Sequence, residues 1–165
     1  GVIGIGGLGH FAVQFARAFG CEVTAFSTTA AKEKEAGQLG AHRFVLCSDP
    51  KQMKKASESL DLIISTVHVD MDWESWMRVL RPNGVLALVG VSDKPLNIAP
   101  GTLLLGKKAV VGSTIGTRSA MREMLDIAAR HGIKAWAETM PLSKVNEAVD
   151  RVRKGKARYR MVLKI

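Results

Sequence analysis

A doubly wound α/β fold, with a six-stranded parallel sheet covered on both faces by helices, is the architecture this sequence predicts. Short apolar runs alternate with helical stretches along most of the chain. The helical stretches end at Gly or at a polar turn. Between the first apolar run, Val2-Ile3-Gly4-Ile5, and the first amphipathic stretch lies Gly4-Ile5-Gly6-Gly7-Leu8-Gly9. A glycine-rich turn that ends a strand and opens a helix lets a pyrophosphate approach the backbone and rest on free amides at the helix N-terminus. The spacing alone is a weak signal, and its place between strand and helix is what strengthens it.

Strands are expected at residues 2–5, 22–26, 43–46, 60–66, 85–89 and 109–112. Helices are expected at 8–19, 30–39, 50–57 and 73–80, with right-handed crossovers placing them on the two faces of the sheet. In the first helix Phe11, Phe15 and Phe19 recur every four residues, the spacing of one buried face, and Gly20 stops the pattern. Trp73, Trp76, Met77 and Leu80 follow the i, i+3, i+4, i+7 pattern and are assigned to core packing. A further helix runs after Thr117 through Met121, Met124, Leu125 and Ala128 and ends near His131 and Gly132. The organisation then changes: an extended piece at 135–140, a helix at 143–153 and a strand-like run at 160–165. Residues 1–134 are therefore expected to form a dinucleotide-binding domain, and 135–165 a segment returning toward a second domain. Gly1 stands at the first strand, as in a chain cut from something longer.

The 165 residues suffice for one full-sized core, and a hydrophobic fraction of 47% is ordinary for a globular protein. No apolar run is long enough to span a bilayer, and the first residues lack the basic stretch and cleavage site of a secretory signal. A cytoplasmic location with no membrane partner is the expectation. Cys21 and Cys47 form neither a disulfide framework nor a C-x-x-C pair, so reduced, partly buried thiols are expected. The formal charge of +9 raises nucleic acid as a partner. Arg151, Arg153, Lys154, Lys156, Arg158 and Arg160 do cluster, yet Tyr159 is the one aromatic among them, and no helix-turn-helix or zinc-finger spacing accompanies them. A solvated helix end, or a surface meeting another domain, accounts for that charge more simply.

The second strand speaks to the choice of dinucleotide. An NAD-binding unit carries an Asp or Glu there for the adenosine ribose. Here the strand ends in Ser27-Thr28-Thr29, with Lys32 close behind. Hydroxyls can donate to a 2′-phosphate and a lysine can balance its charge, so the pattern favours NADP. The same residues also suit a plainer role, in which a hydroxyl caps the next helix and Lys32 is solvated.

Taken together, Gly4-Ile5-Gly6-Gly7-Leu8-Gly9-His10, Phe26-Ser27-Thr28-Thr29 with Lys32, Gly37-Gln38-Leu39-Gly40-Ala41, Gly112-Ser113-Thr114-Ile115-Gly116 and Tyr159-Arg160-Met161-Val162 carry a resemblance. The chain resembles the coenzyme-binding domain of zinc-dependent medium-chain alcohol dehydrogenases, in particular the cinnamyl alcohol dehydrogenase-like branch of NADP-dependent aldehyde reductases. The resemblance implies that Gly4, Gly6, Gly7, Leu8 and Gly9 form the pyrophosphate turn, while Ser27, Thr28, Thr29 and Lys32 surround the adenosine phosphate. It places Thr66 on the crevice floor and Gly90 near the nicotinamide half. Ser113, Thr114 and Ile115 would flank the nicotinamide ribose and carboxamide, and Arg160 would reach the pyrophosphate. It also implies a homodimer through the edge strand at 109–112, with Lys107 and Lys108 as charged guards of that edge in the alternative.

The family's chemistry is hydride transfer between NADPH and a carbonyl, with zinc as Lewis acid. This sequence has none of the family's zinc ligands, which belong to a substrate domain preceding the coenzyme domain, so no catalytic or metal-binding residue is assigned. His10 is expected to be structural or coenzyme-adjacent, His68 lacks a partner, and His42 and His131 are placed on the surface. Two other readings stand beside it: the coenzyme domain of a zinc-independent quinone or enoyl reductase, a class whose glycine turn usually departs from Gly-Gly-Leu-Gly-His, and a stand-alone nucleotide-binding module.

Overall fold

The computed structural model describes all residues, Gly1 to Ile165. In chain order it comprises β1 (Val2–Ile3), α1 (Gly9–Ala18), β2 (Thr24–Ser27), a 3-10 turn (Ala30–Lys32) running into α2 (Glu33–Gln38), β3 (Arg43–Leu46), α3 (Pro50–Lys55), β4 (Leu60–Ser65), α4 (Trp73–Val79) and β5 (Leu80–Leu88). There follow α5 (Pro100–Gly106), β6 (Ala109–Gly112), α6 (Arg118–His131), β7 (Ala137–Pro141), a second 3-10 turn (Leu142–Lys144), α7 (Val145–Arg153) and β8 (Arg160–Lys164). β1 to β6 form one parallel sheet in the order β3-β2-β1-β4-β5-β6, and β7 pairs with β8 in a separate two-stranded sheet. The strand order reverses between β1 and β4, so both crossovers leave from the centre of the sheet and open a crevice at its carboxyl ends.

The pleat divides the core in two. Val2 and Ala25 pack in one cluster with Val13, Val23, Ala36 and Leu39, while their neighbours Ile3 and Phe26 point the other way, into Ile63, Trp73, Trp76, Met77, Leu80 and Leu86. The apolar repeat read in α4 is thus core, with Met77 and Leu80 wholly inaccessible. Local chemistry fixes the helix starts. Asp49 accepts from the amides of Lys51 (2.9 Å) and Gln52 (3.4 Å) ahead of Pro50, and Thr117 accepts from the Ala120 amide (3.3 Å). Gly132, at φ +66°, closes α6.

Several expectations are corrected. The ridge of Phe11, Phe15 and Phe19 is not the buried face of α1, because Phe19 is 65% exposed while Gly9, His10 and Val13 are buried. The helix meets the end of β1 at Gly9, where a Cβ would strike the Gly4 carbonyl, and the face that continues from it through Val13 leaves Phe19 at the flank. β1 stops at Ile3, because Gly4 takes φ +86°. β5 begins earlier than expected, at Leu80, through a register break between Leu60 and Leu62. A helix not expected from the sequence, α5, lies before β6; Pro100 starts it and Lys107, in the left-handed region, ends it. Cys21 precedes β2 and is exposed, whereas Cys47 is half-buried, with its thiol pushed up to about 11 by burial.

Candidate functional site

The glycine turn is held by the strands on either side of it. The Gly4 amide donates to the Phe26 carbonyl (3.1 Å), and the Thr66 hydroxyl reaches the Ile3 (3.0 Å) and Gly4 (2.9 Å) carbonyls from β4's end. A Cβ on Gly9 would collide with the Gly4 carbonyl, so this pair of glycines is what lets α1 start against β1. The amides of Gly6, Gly7 and Leu8 find no acceptor within the chain, and the space over Gly6 is open. They stand at the N-terminus of α1, whose first turn carries no acidic residue, and together they form a concave donor surface suited to a pyrophosphate.

At the end of β2, Ser27 Oγ accepts from the Thr29 amide (3.1 Å), while Thr28 and Thr29 are exposed and no side chain caps the 3-10 turn. The capping role considered for these hydroxyls is therefore not used. Lys32 is not solvated either. Its Nζ donates to the Ile5 carbonyl (2.9 Å), lies 3.7 Å from Glu35 Oε2 and sits 4.0 Å from the centroid of the Tyr159 ring. Burial, reinforced by the nearby Arg158 charge, holds this ammonium below the usual lysine range, with Glu35 opposing. The ammonium thus makes one hydrogen bond, one ion pair and one contact with an aromatic face, all beside the glycine turn.

At the other end of the crevice, a cleft of about 440 Å³ opens between the ends of β5 and β6, lined by Trp73, Leu88, Gly90, Gly112, Ser113 and Thr114. Gly90, Ser113 and Thr114 thus converge, while Ile115 projects into solvent at 86% exposure. The missing side chain at Gly90 serves packing within the protein, since a Cβ there would strike the Val67 carbonyl.

The C-terminal segment closes the adenosine side. Tyr159 and Trp136 pack on the cluster that holds α1 to the sheet, and the Arg160 guanidinium lies over the turn, its Nη1 3.0 Å from where a Gly7 Cβ would stand. Tyr159 donates its hydroxyl to Glu35 Oε2, and Arg158 Nε donates to Oε1 (2.8 Å). Glu138 accepts from the Arg158 amide (2.7 Å) and pairs with Arg151. Of these residues, Glu35, Trp136 and Glu138 carry no signal in the sequence, because their partners lie in other segments. The one available signal was the lone tyrosine set among basic residues.

The histidines separate cleanly. His10 is fully buried between the turn and the C-terminal segment, His68 and His131 are exposed, and His42 accepts from the Val23 amide (2.9 Å) at the surface. No three His, Cys, Asp or Glu side chains converge as metal ligands would, and no helix is long and apolar enough to cross a membrane.

The strand order, the glycine turn with free amides and the crevice at the carboxyl ends define a dinucleotide-binding domain of the Rossmann type. Residues 7–130 match the zinc-binding dehydrogenase family, and the chain belongs to that family as its coenzyme domain. It is 44% identical over 162 residues to an aldehyde reductase, AdhA, of Synechocystis, covering 98% of this chain and 48% of the relative. It is 45% identical over 166 residues to a probable cinnamyl alcohol dehydrogenase 6 of Arabidopsis thaliana, covering 100% and 46%. Among solved structures, a cinnamyl alcohol dehydrogenase of Sorghum bicolor superposes with a TM-score of 0.94 at 40% identity, covering 98% of this chain and 46% of that one. A cinnamyl alcohol dehydrogenase of Helicobacter pylori complexed with NADP(H) gives 0.86 at 32%, covering 98% and 46%. The chain spans about half the length of the relatives it matches.

Proposed function

We propose that this chain is the NADP(H)-binding part of a zinc-dependent alcohol dehydrogenase or aldehyde reductase, with residues 1–134 as the dinucleotide-binding unit and 135–165 returning toward a catalytic domain. The observation that carries the cofactor choice is the end of β2, where two exposed threonines and a partly buried lysine stand in place of a carboxylate. A carboxylate there would accept from a ribose hydroxyl and repel a 2′-phosphate; this set does the reverse.

On this reading the Gly6, Gly7 and Leu8 amides and Arg160 hold the pyrophosphate, and Gly4 and Gly9 shape the turn that presents them. Ser27, Thr28, Thr29 and Lys32 take the adenosine phosphate, with Thr66 bracing the floor of the crevice. Gly90, Ser113, Thr114 and Ile115 bound the nicotinamide half. The cofactor supplies a hydride for a carbonyl carbon, and the zinc that polarises the carbonyl oxygen is expected on the catalytic domain. The edge strand β6 is assigned to a homodimer contact.

Titration calorimetry with NADPH and NADH tests the cofactor assignment. The wild type should prefer NADPH, and Lys32→Ala should lose about 1.5 to 3 kcal/mol of NADPH binding, the worth of a charge-assisted contact, with little change for NADH. Equal wild-type affinity for the two would overturn the assignment.

A further inference from the structure

His10 sits where the glycine turn, α1 and the C-terminal segment meet, and both of its ring nitrogens are spoken for. Nε2 faces the Trp136 amide at 3.3 Å. An amide N–H can only donate, so Nε2 must present a lone pair, and the ring proton therefore lies on Nδ1, which donates to the Gly6 carbonyl at 3.0 Å. The imidazole is fully buried, its ring centroid 5.1 Å from that of Tyr159 in a stacked arrangement. Gln14, one turn on, ties the same surfaces together: its Nε2 donates to the His10 (3.0 Å) and Lys134 (3.0 Å) carbonyls, and its Oε1 accepts from the Lys134 amide (3.2 Å).

The consequence lies on the far side of Trp136. Its amide is held by His10, and its carbonyl accepts from the amides of both Tyr159 (2.8 Å) and Arg160 (3.0 Å). Arg160 is the residue whose guanidinium covers Gly7. One imidazole thus fixes the turn through Gly6 and, through the single residue Trp136, the strand that carries the arginine above that turn. We infer that His10 is a positioning residue that sets the spacing between the glycine turn and Arg160, and so the two sides of a pyrophosphate site. This rests on the dinucleotide reading given above.

The link has a defined protonation state. A doubly protonated ring would turn a donor toward the Trp136 amide and break the connection to β8. The charged groups around the ring oppose that state. Burial comes first, then the cations Arg160 on β8 and Lys32 before α2, and these hold the imidazole below its usual range despite the Gly6 carbonyl. Tyr159 presents its ring face to the imidazole, and Glu35 is occupied by the Tyr159 hydroxyl, Arg158 and Lys32.

The test uses the protein with NADPH and, separately, with 2′-AMP, which carries the adenosine 2′-phosphate but no phosphate at the 5′ position where the pyrophosphate is attached. His10→Phe keeps an aromatic ring and removes both hydrogen bonds; it should weaken NADPH binding about 10- to 100-fold and 2′-AMP binding by less than about threefold. Arg160→Ala should weaken NADPH binding by itself, and the double variant should lose less than the product of the two single losses, because one effect passes through the other. His10→Asn, which restores a donor for Gly6 in a smaller side chain, runs the same cycle if the phenylalanine variant does not fold. Imidazole nitrogen NMR of the wild type should report protonated Nδ1 and bare Nε2 at neutral pH. Multiplicative losses in the cycle, equal losses for both ligands, or an Nε2–H tautomer would each overturn the inference while leaving the coenzyme reading intact. No NADPH binding by the wild type would overturn both.

Discussion

Glu35 shows how one side chain can join two ends of the sequence. It forms an ion pair with Lys32, beside the glycine turn, and accepts hydrogen bonds from Tyr159 and Arg158 in the C-terminal segment. Burial would raise its carboxyl, but the hydrogen bonds from Tyr159 and Arg158 and the Lys32 charge outweigh burial and hold it below the usual glutamate range. The same hydrogen bond drives the Tyr159 phenol, already raised by burial, well above its usual range. Because the folded value of Glu35 is depressed, its contribution to stability is fully present above the unfolded value of about 4.3 and is lost as pH falls from there through the folded value. Tyr159→Phe should cost about 1 to 2 kcal/mol at neutral pH in urea unfolding, and should flatten the loss of stability below pH 4.3. An unchanged acid limb would show that the phenol does not hold the carboxylate. The pairing of Glu35 with Tyr159 and Arg158 is not legible in the sequence. Ser27, Thr28, Thr29 and Lys32 could be read from their place after an apolar run, because that reading needs only local order. That Lys32 folds back on Ile5 and faces a tyrosine more than a hundred positions away depends on tertiary packing, which no spacing rule reports.

Elements were legible where a periodic apolar stripe and a local stop signal coincided. Trp73, Trp76, Met77 and Leu80 gave α4 and its buried face because their spacing is the helix's own, and Asp72, accepting from the Ser75 amide at 3.2 Å, starts it. The same periodicity misled in α1, where Phe11, Phe15 and Phe19 repeat as regularly but the buried face is set by Gly9, which admits no Cβ against the Gly4 carbonyl, and Val13. Size at a close helix–strand crossing outranks hydrophobicity. α5 escaped because Pro100-Gly101-Thr102-Leu103-Leu104-Leu105-Gly106 is short, flanked by helix breakers and mostly exposed, so it carries no amphipathic signature. The contrast gives a test of which helix holds the sheet. Trp76 is 5% exposed and meets Phe26 edge-on at 5.0 Å. Trp76→Ala should therefore destabilise by about 3 to 5 kcal/mol, as truncation of a large buried aromatic does. Phe19→Ala, at the flank of α1, should stay within about 1 kcal/mol. Denaturant unfolding of the two variants checks the ranking, and a comparable loss for Phe19 would restore the phenylalanine ridge as the core face.

At the scale of the whole molecule, the sheet has two unpaired edges, and that of β6 is the apolar one. Beside it Leu104 (76% exposed), Leu105 (93%) and Val111 (43%) are open to solvent. Exposed backbone donors and acceptors next to apolar side chains invite another strand. Of the two lysines beside it, Lys108 turns inward to donate to the Met77 carbonyl (2.6 Å), which leaves Lys107, exposed at the end of α5, as the one charged guard. A second copy meeting β6 about a two-fold axis would bury the same residues on both sides and continue the sheet, a self-complementary contact. The ladder itself supplies the variant that separates the edge from the fold. Since the Ser113 amide donates to Leu88 (2.9 Å), the amides of Val111 and Ser113 face β5, and the alternation of the strand turns that of Val110 outward. Val110→Pro then removes an outward donor and leaves the pairing with β5 in place. In sedimentation the wild type should run as a dimer at micromolar concentration and Val110→Pro as a monomer, with Val111→Lys giving the same shift by placing charge on the shared apolar surface. A wild type that remains monomeric at high micromolar concentration, or a proline variant that dimerises as well as the parent, would leave β6 a solvated edge.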